Sequence, residues 1–342
     1  MKSFLTPEEE EILRGIRVGS ENDPDNPEFP PDNPKFPATP TLEIDLPDFP
    51  YVSLKDESVN PTGTHKDRMA WEIVVTYRHF LSAKKRGLIK EELPHMSIIT
   101  FGSAGLAIQN MLKMHNLPNL KCLIDEKYID KDTLKSLKKL GAEIFETDLD
   151  KKAYNSEEIL QMTNNKGGLD ITSDEALDPT TRFYDWMSYE IINNNPDYVF
   201  VPFGSGHLYE NILNINKKEC STKHHDPRFS GNVEILSACN FIGSTTNNPK
   251  TKAIKLYSPH LPFSHFNEQW IRLYKFAGFC GPDSGVKLMR EDYLDEAIDL
   301  AESQGINCEP SGIAGLALML QMKNSLPKNK KFLIVNTGKT KY

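Results

Sequence analysis

The sequence predicts an α/β protein whose parallel sheets carry helices on their faces and form two lobes with a cleft between them. Three observations predict this fold. Short apolar strands alternate with helical patterns between residues 97 and 145, in the order βαβαβ. A second run of this kind begins at Tyr198. Glycine-containing loops at 102, 204 and 336–338 follow strands, at the ends where open α/β sheets bind their ligands.

The composition is that of a globular protein. The chain has 342 residues, of which 26% are charged and 38% hydrophobic. Its net charge is −8 and no basic block is present, so we expect no nucleic-acid partner. The five cysteines contain no C-x-x-C pair, and we find no signal peptide or 18-residue apolar run. We therefore expect a cytoplasmic protein with reduced thiols and no membrane association.

The first 50 residues predict an N-terminal helix followed by a proline-rich arm. Residues 6–9, Thr-Pro-Glu-Glu, form a capping box. Nine prolines occur in residues 24–50, and Asp-Asn-Pro-Glu-Phe-Pro at 25–30 recurs as Asp-Asn-Pro-Lys-Phe-Pro at 32–37. Such proline density favours extended chain. We expect an arm laid over the body, anchored by Phe29 and Phe36; the alternative is a partner-binding segment.

The remaining strands and helices follow from apolar periodicity. A helix begins at Lys66 and stops at Gly87, after a cationic last turn. Strands are predicted at 51–55, 97–101, 121–124, 143–145, 198–201, 234–236 and 332–335, and further helices at about 103–116, 133–140 and 208–215. We assign residues 51–85 and 165–342 to a larger lobe, and residues 86–164 to a smaller, mobile lobe.

Lys66 carries the most informative chemistry in the chain. It follows a Pro/Gly turn and begins a helical pattern, so it lies at or near a helix N-terminus, where the macrodipole disfavours an extra positive charge. If it is also desolvated, its pKa is lowered and more of the amine is neutral, as imine formation with an aldehyde requires. The alternative is a solvated lysine in the first turn of a helix.

The surrounding stretch carries a family resemblance. Residues 60–68, Asn-Pro-Thr-Gly-Thr-His-Lys-Asp-Arg, resemble the lysine motif of fold-type-II pyridoxal-phosphate (PLP) enzymes. The closest wording is the Asn-Pro-Thr-Gly-Ser-Phe-Lys-Asp-Arg signature of threonine synthases, while His65 in place of Phe resembles the tryptophan synthase β subunit. The resemblance implies that Lys66 is the Schiff-base lysine, that PLP is the cofactor, and that Asn60 and His65 belong to the site.

A second glycine loop matches a phosphate site. Residues 201–208, Val-Pro-Phe-Gly-Ser-Gly-His-Leu, lead from a strand into a helix, where backbone N–H groups bind anions. The dinucleotide motif G-x-G-x-x-G is absent, because position 209 is Tyr. The loop resembles the family's Pro-x-Gly-x-Gly-Gly, with His207 where Gly is usual. The resemblance implies that the cofactor phosphate is bound by Gly204, Ser205, Gly206, His207 and Leu208.

The loop after the strand at 97–101 resembles the family's substrate-carboxylate loop, Ser/Thr-x-Gly-Asn-x-Gly, whose Asn contacts the phenolic oxygen of the cofactor. The implied carboxylate site consists of Thr100, Gly102, Ser103, Ala104 and Gly105. Ser103 stands at the Asn position. Since a serine hydroxyl is shorter and offers one donor, we expect its contact with the cofactor to be weaker or bridged by water.

Two C-terminal stretches extend the resemblance. Val335-Asn-Thr-Gly338 resembles the Leu-Thr-Gly ending of threonine synthases, which implies that Thr337 faces the pyridine nitrogen. A neutral hydroxyl does not force protonation of the ring, and this favours elimination and replacement over transamination. Residues 309–316 resemble the family's Glu-Pro-Ser helix entry, where Ser311 is a helix cap first and a site residue second. Residues 180–191 match the family loosely, and no role for Arg182 is implied.

The resemblance covers residues 39–342 and implies a two-lobed fold-type-II enzyme. The expected reaction is a PLP-dependent elimination or replacement on an L-amino acid, most closely the threonine synthase reaction of a carbon–oxygen lyase, from O-phosphohomoserine to threonine. Changes at His65, Ser103 and His207 leave two alternatives open: a serine/threonine ammonia-lyase, and a cysteine-synthase-like β-replacement.

An alternative of another class is a PLP-fold protein that has lost catalysis and serves as a binding or regulatory module. Homodimers are usual in the family, so the expected partners are a small amino-acid substrate and a second copy of the chain. No metal-ligand cluster is visible in the sequence, since the His224-His225 pair lies on a polar loop.

Overall fold

The computed structural model describes residues 36–172, 183–223, 238–257, 260 and 268–341. Several sequence features lie outside these residues. They are the capping box at 6–9, Phe29 with the first copy of the repeat, Arg182, the histidine pair at 224–225, and the strand expected at 234–236.

The described residues form two compact units. The large unit contains Ala38–Asp67, Leu149–Ala153 and the described residues after 182. The small unit contains Phe36, Pro37, Arg68–Asp148 and residues 154–172. The division falls after Asp67, whereas the sequence assigned the helix from Lys66 to the larger lobe as a whole. The domain ranges drawn from the sequence therefore stay a prediction.

The secondary structure confirms the alternation of strands and helices. The described strands are β1 (Thr41–Glu43), β2 (Val52–Asp56), β3 (Met96–Ile99), β4 (Lys121–Ile124), β5 (Glu143–Glu146), β6 (Leu169–Asp170), β7 (Tyr198–Pro202), β8 (Asn240–Thr245), β9 (Gly285–Leu288) and β10 (Phe332–Asn336). The described α-helices are α1 (Lys66–Lys85), α2 (Ser103–Met114), α3 (Lys131–Leu140), α4 (Ser156–Met162), α5 (Asp185–Ile192), α6 (His207–Lys223), α7 (Glu268–Phe276), α8 (Asp292–Ser303) and α9 (Pro310–Met322).

Each unit is built on one mainly parallel sheet. The six-stranded sheet of the large unit has the order β1-β2-β10-β7-β8-β9, in which β1 is antiparallel to β2 and the other pairs are parallel. The four-stranded sheet of the small unit has the order β5-β4-β3-β6 and is parallel throughout. These sheets confirm the α/β class predicted from the sequence.

The centre of the large unit lies around β7, β10 and α9. Both strands are buried along their whole length, as expected of parallel strands covered on two faces. Helix α9 is buried from Ser311 to Leu320, so it is apolar nearly all round rather than on one face. It packs so closely on β7 that a Cβ atom at Gly315 would lie 2.7 Å from the Phe200 carbonyl oxygen. The N-terminus of α9 lies beside the end of β10, where the Thr337 N–H donates a hydrogen bond to the Gly312 carbonyl oxygen.

The helix boundaries follow the local rules seen in the sequence. Asp130 caps α3 by accepting a hydrogen bond from the Thr133 N–H, and Gly141 ends the helix with φ of +102°. Helix α1 ends with Lys84 and Lys85 in its last turn, and Gly87 follows with φ of +76°. These ends lie where the sequence predicts them.

Phe36, one of the two expected anchors of the arm, packs within the small unit. Its side chain is 7% exposed, and its ring lies edge-on to Trp71, with 6.4 Å between the ring centres. The Arg68 guanidinium lies 5.3 Å from the centre of the Phe36 ring. Phe36 is thus buried, as expected of an anchor, while the role of the arm stays a prediction.

Candidate active site

Three loops that the sequence singles out leave neighbouring strands at one edge of the large unit's sheet. The loop before Lys66 follows β2, the glycine loop at 203–206 follows β7, and Thr337 follows β10. Strand β10 lies between β2 and β7 and is parallel to both. Since the carboxyl ends of parallel strands meet at one edge of a sheet, the fold brings these three loops together.

A buried carboxylate holds the loop that precedes Lys66. Glu57 is fully buried and accepts hydrogen bonds from the Thr39 hydroxyl at 2.6 Å and from the Asn60 side-chain amide at 2.7 Å. The same amide donates to the Thr64 carbonyl oxygen at 3.1 Å. Because a buried charge must be hydrogen-bonded to remain in place, Glu57 fixes Asn60, and Asn60 fixes the turn. Asn60, predicted as a weaker site residue, thus has a role in folding the loop.

The start of α1 is joined to this loop by Asp67. The buried Asp67 carboxylate accepts hydrogen bonds from the backbone N–H of Thr62 at 2.9 Å and from its hydroxyl at 2.8 Å. A carboxylate in the first turn of a helix is favoured by the macrodipole. Burial nevertheless raises the pKa of Asp67. These bonds set the position of the residue before it, Lys66.

Lys66 is the first residue of α1, as the sequence predicts. Its side chain is half-buried, and burial lowers the pKa of the amine from 10.5 to about 8. At pH 7.5 roughly a quarter of such an amine is neutral, against about 0.1% for an ordinary lysine. The cause of this lowered pKa is burial, which is the condition that the sequence left open for this lysine.

The Lys66 amine contacts Tyr184, a residue to which the sequence gave no role. Its Nζ donates a hydrogen bond to the Tyr184 hydroxyl oxygen at 2.7 Å and lies 5.3 Å from the centre of the ring. Tyr184 is 1% exposed, and burial, followed by the nearby charge of Glu57, raises the pKa of its hydroxyl. The one signal for Tyr184 in the sequence was its place within the loosely matching stretch at 180–191.

His65 and Thr337 meet beside the same lysine. The His65 backbone N–H donates to the Thr337 carbonyl oxygen at 3.0 Å, and His65 Nδ1 lies 3.2 Å from that oxygen. The His65 ring is tilted against Tyr184, with 5.2 Å between the ring centres. The Thr337 hydroxyl makes no hydrogen bond within the described part of the chain, which leaves it available to a ligand.

The glycine loop between β7 and α6 needs glycine at two positions. Gly206 has φ of +88°, which L side chains rarely adopt. A Cβ atom at Gly204 would lie 2.7 Å from the Lys255 carbonyl oxygen. Helix α6 begins directly after the loop at His207, whose Nδ1 lies 3.4 Å from the Ser205 hydroxyl, and Leu208 is buried. The first N–H groups of a helix lack intrahelical partners, so the loop has the form of an anion site.

Ser311 does not cap α9, which corrects the expectation from the sequence. Glu309 is the N-cap residue and Pro310 the first helical residue, so Ser311 already lies inside the helix. Proline is favoured at the first helical position because it has no N–H to satisfy. The helix therefore starts at Pro310, one residue before Ser311. The Ser311 hydroxyl instead accepts a hydrogen bond from the Lys255 N–H at 3.1 Å, behind the glycine loop.

The proposed carboxylate loop belongs to the small unit and follows β3. The Thr100 hydroxyl oxygen accepts hydrogen bonds from the N–H groups of Gly102 at 3.0 Å and Gly105 at 3.1 Å, so this side chain shapes the loop. Gly102 has φ of +120° and precedes α2. Ser103 and Ala104 are the first two helical residues and are half-buried. The Ser103 hydroxyl makes no hydrogen bond to any residue that the structure describes.

Other kinds of site are not found in the described ranges. No group of three or more His, Cys, Asp or Glu side chains there is arranged to hold a metal ion. Among the same residues, no helix is long and apolar enough to cross a membrane. The five cysteines are free and buried, and burial raises the pKa of Cys122 to about 12.

Fold and site together define an α/β protein that carries a lysine of lowered pKa at the edge of its larger sheet. Comparison with family models agrees, since the model described as "Pyridoxal-phosphate dependent enzyme" matches residues 37–338. The chain therefore belongs to the fold-type-II family of PLP-dependent enzymes. Among curated proteins, no sequence matches the chain.

Solved structures show the same fold at low sequence identity. Diaminopropionate ammonia lyase from Escherichia coli, in complex with D-serine, matches with a TM-score of 0.63 and 15% identity over 89% of this chain and 85% of that one. O-ureido-L-serine synthase matches with 0.60 and 16% over 88% of each chain. Threonine deaminase from T.th. matches with 0.59 and 16% over 89% and 93%. At these identities the likeness shows the fold alone.

Proposed function

We propose that the protein catalyses an elimination or a replacement on an L-amino acid, with Lys66 as the residue that binds PLP and then acts as general base toward the α proton. The observation that carries this proposal is the Lys66 amine, which begins α1, has a pKa of about 8 and lies beside two further loops at one sheet edge. When bound, PLP supplies an electron sink for the charge that develops on the α carbon.

The residues at this edge fit the cofactor. The N–H groups of Gly204–Leu208 suit a phosphate, because the loop enters a helix and Gly206 has the conformation that such a turn requires. The Thr337 hydroxyl suits the pyridine nitrogen, because it is neutral and makes no hydrogen bond within the described residues. A neutral partner leaves the ring unprotonated, which favours elimination and replacement over transamination.

The substrate carboxylate is proposed to bind the loop from Thr100 to Gly105. Its geometry supports this role, since the N–H groups of Ser103 and Ala104 lie at the N-terminus of a 12-residue helix. The Thr100 hydroxyl is already used within the loop, so we assign it to shaping the site. The Ser103 side chain is half-buried, and its hydroxyl reaches less far than the Asn of related enzymes.

Within this class, the first candidate is the threonine synthase reaction on O-phosphohomoserine. The wording of residues 60–68 and the Thr337-Gly338 ending support it. Serine/threonine ammonia-lyase and cysteine-synthase-like activity are the second candidates, left open by the changes at His65, Ser103 and His207. A binding or regulatory module without turnover is the candidate of another class. A cytoplasmic homodimer stays a proposal.

The first experiment locates the cofactor. Purified protein is incubated with PLP, reduced with borohydride and digested, and the modified peptide is identified by mass spectrometry. We expect the label on Lys66 in the wild type and in Lys85→Ala, which removes an exposed lysine from the last turn of the same helix. Lys66→Ala should carry no specific label. Labelling of another residue, or none in the wild type, would contradict the assignment.

The second experiment identifies the reaction. The PLP-loaded protein is given O-phosphohomoserine, L-threonine, L-serine, and O-acetyl-L-serine together with sulfide, and released phosphate, ammonia, keto acids and new amino acids are measured. Threonine and phosphate from O-phosphohomoserine support the first candidate, while ammonia and a keto acid support a lyase. Bound cofactor without turnover of any of the four would contradict the proposed reaction and support the module without catalysis.

A further inference from the structure

Tyr184 is held rigidly against the Lys66 amine. Its backbone forms the N-cap of α5, and its ring is 1% exposed and packed against His65. Its hydroxyl oxygen lies 2.7 Å from Lys66 Nζ. Because the helix start fixes the backbone and burial fixes the ring, this oxygen defines one direction for the amine.

The chemistry of the contact suits a lysine that must lose a proton. A carboxylate at this distance would stabilise the ammonium and raise the pKa of Lys66. A neutral tyrosine hydroxyl also accepts a hydrogen bond from the ammonium, but it raises the pKa of the amine much less than a carboxylate would. Burial and the charge of Glu57 both raise the pKa of Tyr184 above that of an ordinary tyrosine, which favours the neutral hydroxyl.

The other charged groups beside this pair have partners of their own. Glu57 is hydrogen-bonded to Thr39 and Asn60. Lys55 donates a hydrogen bond to the Thr39 carbonyl oxygen and forms an ion pair with Glu190. His65 faces the Thr337 carbonyl oxygen. In the described residues, the direct contact of the Lys66 amine is therefore with the neutral hydroxyl rather than with one of these charges.

We propose that Tyr184 is a positioning residue for Lys66, whose hydroxyl orients the amine toward the carbonyl group that the amine captures. This inference rests on the proposed function of Lys66. Tyr184 makes or breaks no bond in the reaction. It affects only the direction and the hydrogen bonding of the Lys66 amine.

The test measures the amine itself in the cofactor-free protein. Trace labelling with acetic anhydride across a pH series, followed by mass spectrometry of the Lys66 peptide, gives the apparent pKa and the limiting reactivity of Lys66. The variant is Tyr184→Phe, and the matched control is Tyr198→Phe. Tyr198 lies at the start of β7, and its hydroxyl donates a hydrogen bond to Asp283. The rate of covalent PLP capture at pH 9.5 is measured in parallel.

We expect Tyr184→Phe to lower the apparent pKa of Lys66 by about half a unit to one unit, because the ammonium loses a hydrogen-bond acceptor in a buried place. PLP capture at pH 9.5, where the amine is neutral in both proteins, should slow about tenfold, because the amine is no longer oriented. Tyr198→Phe should change neither quantity. A folded Tyr184→Phe variant with the wild-type pKa and capture rate would overturn the proposal.

Two further outcomes keep this test separate from that of the proposed function. If the wild type captures no PLP at Lys66, the proposed function fails, while trace labelling still reports whether Tyr184 controls the amine. If Tyr184→Phe does not fold, 3-fluorotyrosine at position 184 keeps the shape and weakens the acceptor. It should lower the pKa of Lys66 in the same direction, and an unchanged pKa would overturn the proposal.

Discussion

The carbonyl oxygen of Gly63 accepts a hydrogen bond from the backbone N–H of Lys339 at 2.8 Å, so the segment after β10 is paired with the loop that precedes Lys66. Thr64 and Gly338 form an antiparallel bridge at the same place. The two backbones lie so close that a Cβ atom at Gly338 would be 2.1 Å from the Gly63 oxygen. The end of the chain therefore helps to fix the start of α1.

Gly338→Ala should disrupt this pairing. Gly338 has φ of +119°, and the new methyl group would overlap backbone atoms that have no room to move. We expect a loss of about 3 kcal/mol or more in the free energy of unfolding, measured by urea denaturation, together with weaker PLP binding. The matched control is Gly87→Ala, with φ of +76° and open space around it, which should lose only about 1 kcal/mol. Equal losses would show that the close approach at Gly338 is unimportant.

The low pKa of Lys66 has a consequence for stability. The folded protein holds this amine at a pKa of about 8, whereas the unfolded chain holds it near 10.5, so the unfolded chain binds more protons between these values. The charged amine therefore destabilises the folded cofactor-free protein below pH 8, and this cost disappears as the pH rises to about 10.5. Lys66→Met should stabilise the protein at pH 7 by up to about 3 kcal/mol.

The measurement is a set of urea denaturation curves for both proteins between pH 7 and pH 10.5. The stability gained by Lys66→Met should be largest at pH 7 and should shrink above pH 8. Lys85→Met, at an exposed lysine of the same helix, should show no such pH dependence. A gain that stays constant over the whole range would mean that the Lys66 amine is not desolvated.

We expect substitutions of Asn60 to lower the free energy of unfolding, because its side-chain amide holds the loop before Lys66. Its amide satisfies both the buried Glu57 carboxylate and the Thr64 carbonyl oxygen. Asn60→Ala leaves a buried charge short of a donor, so we expect a loss of about 2 kcal/mol in the free energy of unfolding. Asn60→Asp should cost more, because it places a second carboxylate beside Glu57. If both variants are as stable as the wild type, Glu57 does not depend on Asn60.

The fold was predictable because its signals are local. Strand β4 has the bounds expected from its apolar run, and Gly141 ends α3 where a C-terminal glycine belongs. Lys66 was predictable for the same reason, since a Pro/Gly turn followed by a helical pattern fixes its place without tertiary information. Strands such as β6, with two residues, and β9 at the sheet edge leave too few apolar residues to be recognised.

The contacts of the site were less predictable, because they join distant parts of the chain. Tyr184 lies 118 residues from Lys66, and no periodicity in the sequence relates the two. The same holds for Lys339, whose pairing with Gly63 depends on the order of β2 and β10 in the sheet. Ser311 was wrongly expected to cap its helix, because the preference of proline for the first helical position, which makes Glu309 the N-cap, was not applied to Pro310.

The last prediction concerns the loop of the small unit. Thr100→Val removes the oxygen that accepts hydrogen bonds from Gly102 and Gly105, while keeping the shape of the side chain. Two N–H groups lose their acceptor, so we expect a loss of about 2 kcal/mol in stability. If this loop binds the substrate carboxylate, KM should also rise about tenfold with a smaller change in kcat, because the loop N–H groups are no longer held in place. Thr100→Ser keeps the hydroxyl and should restore both stability and KM. A Thr100→Val variant that loses stability at an unchanged KM would remove the carboxylate from this loop and leave Thr100 a purely structural residue.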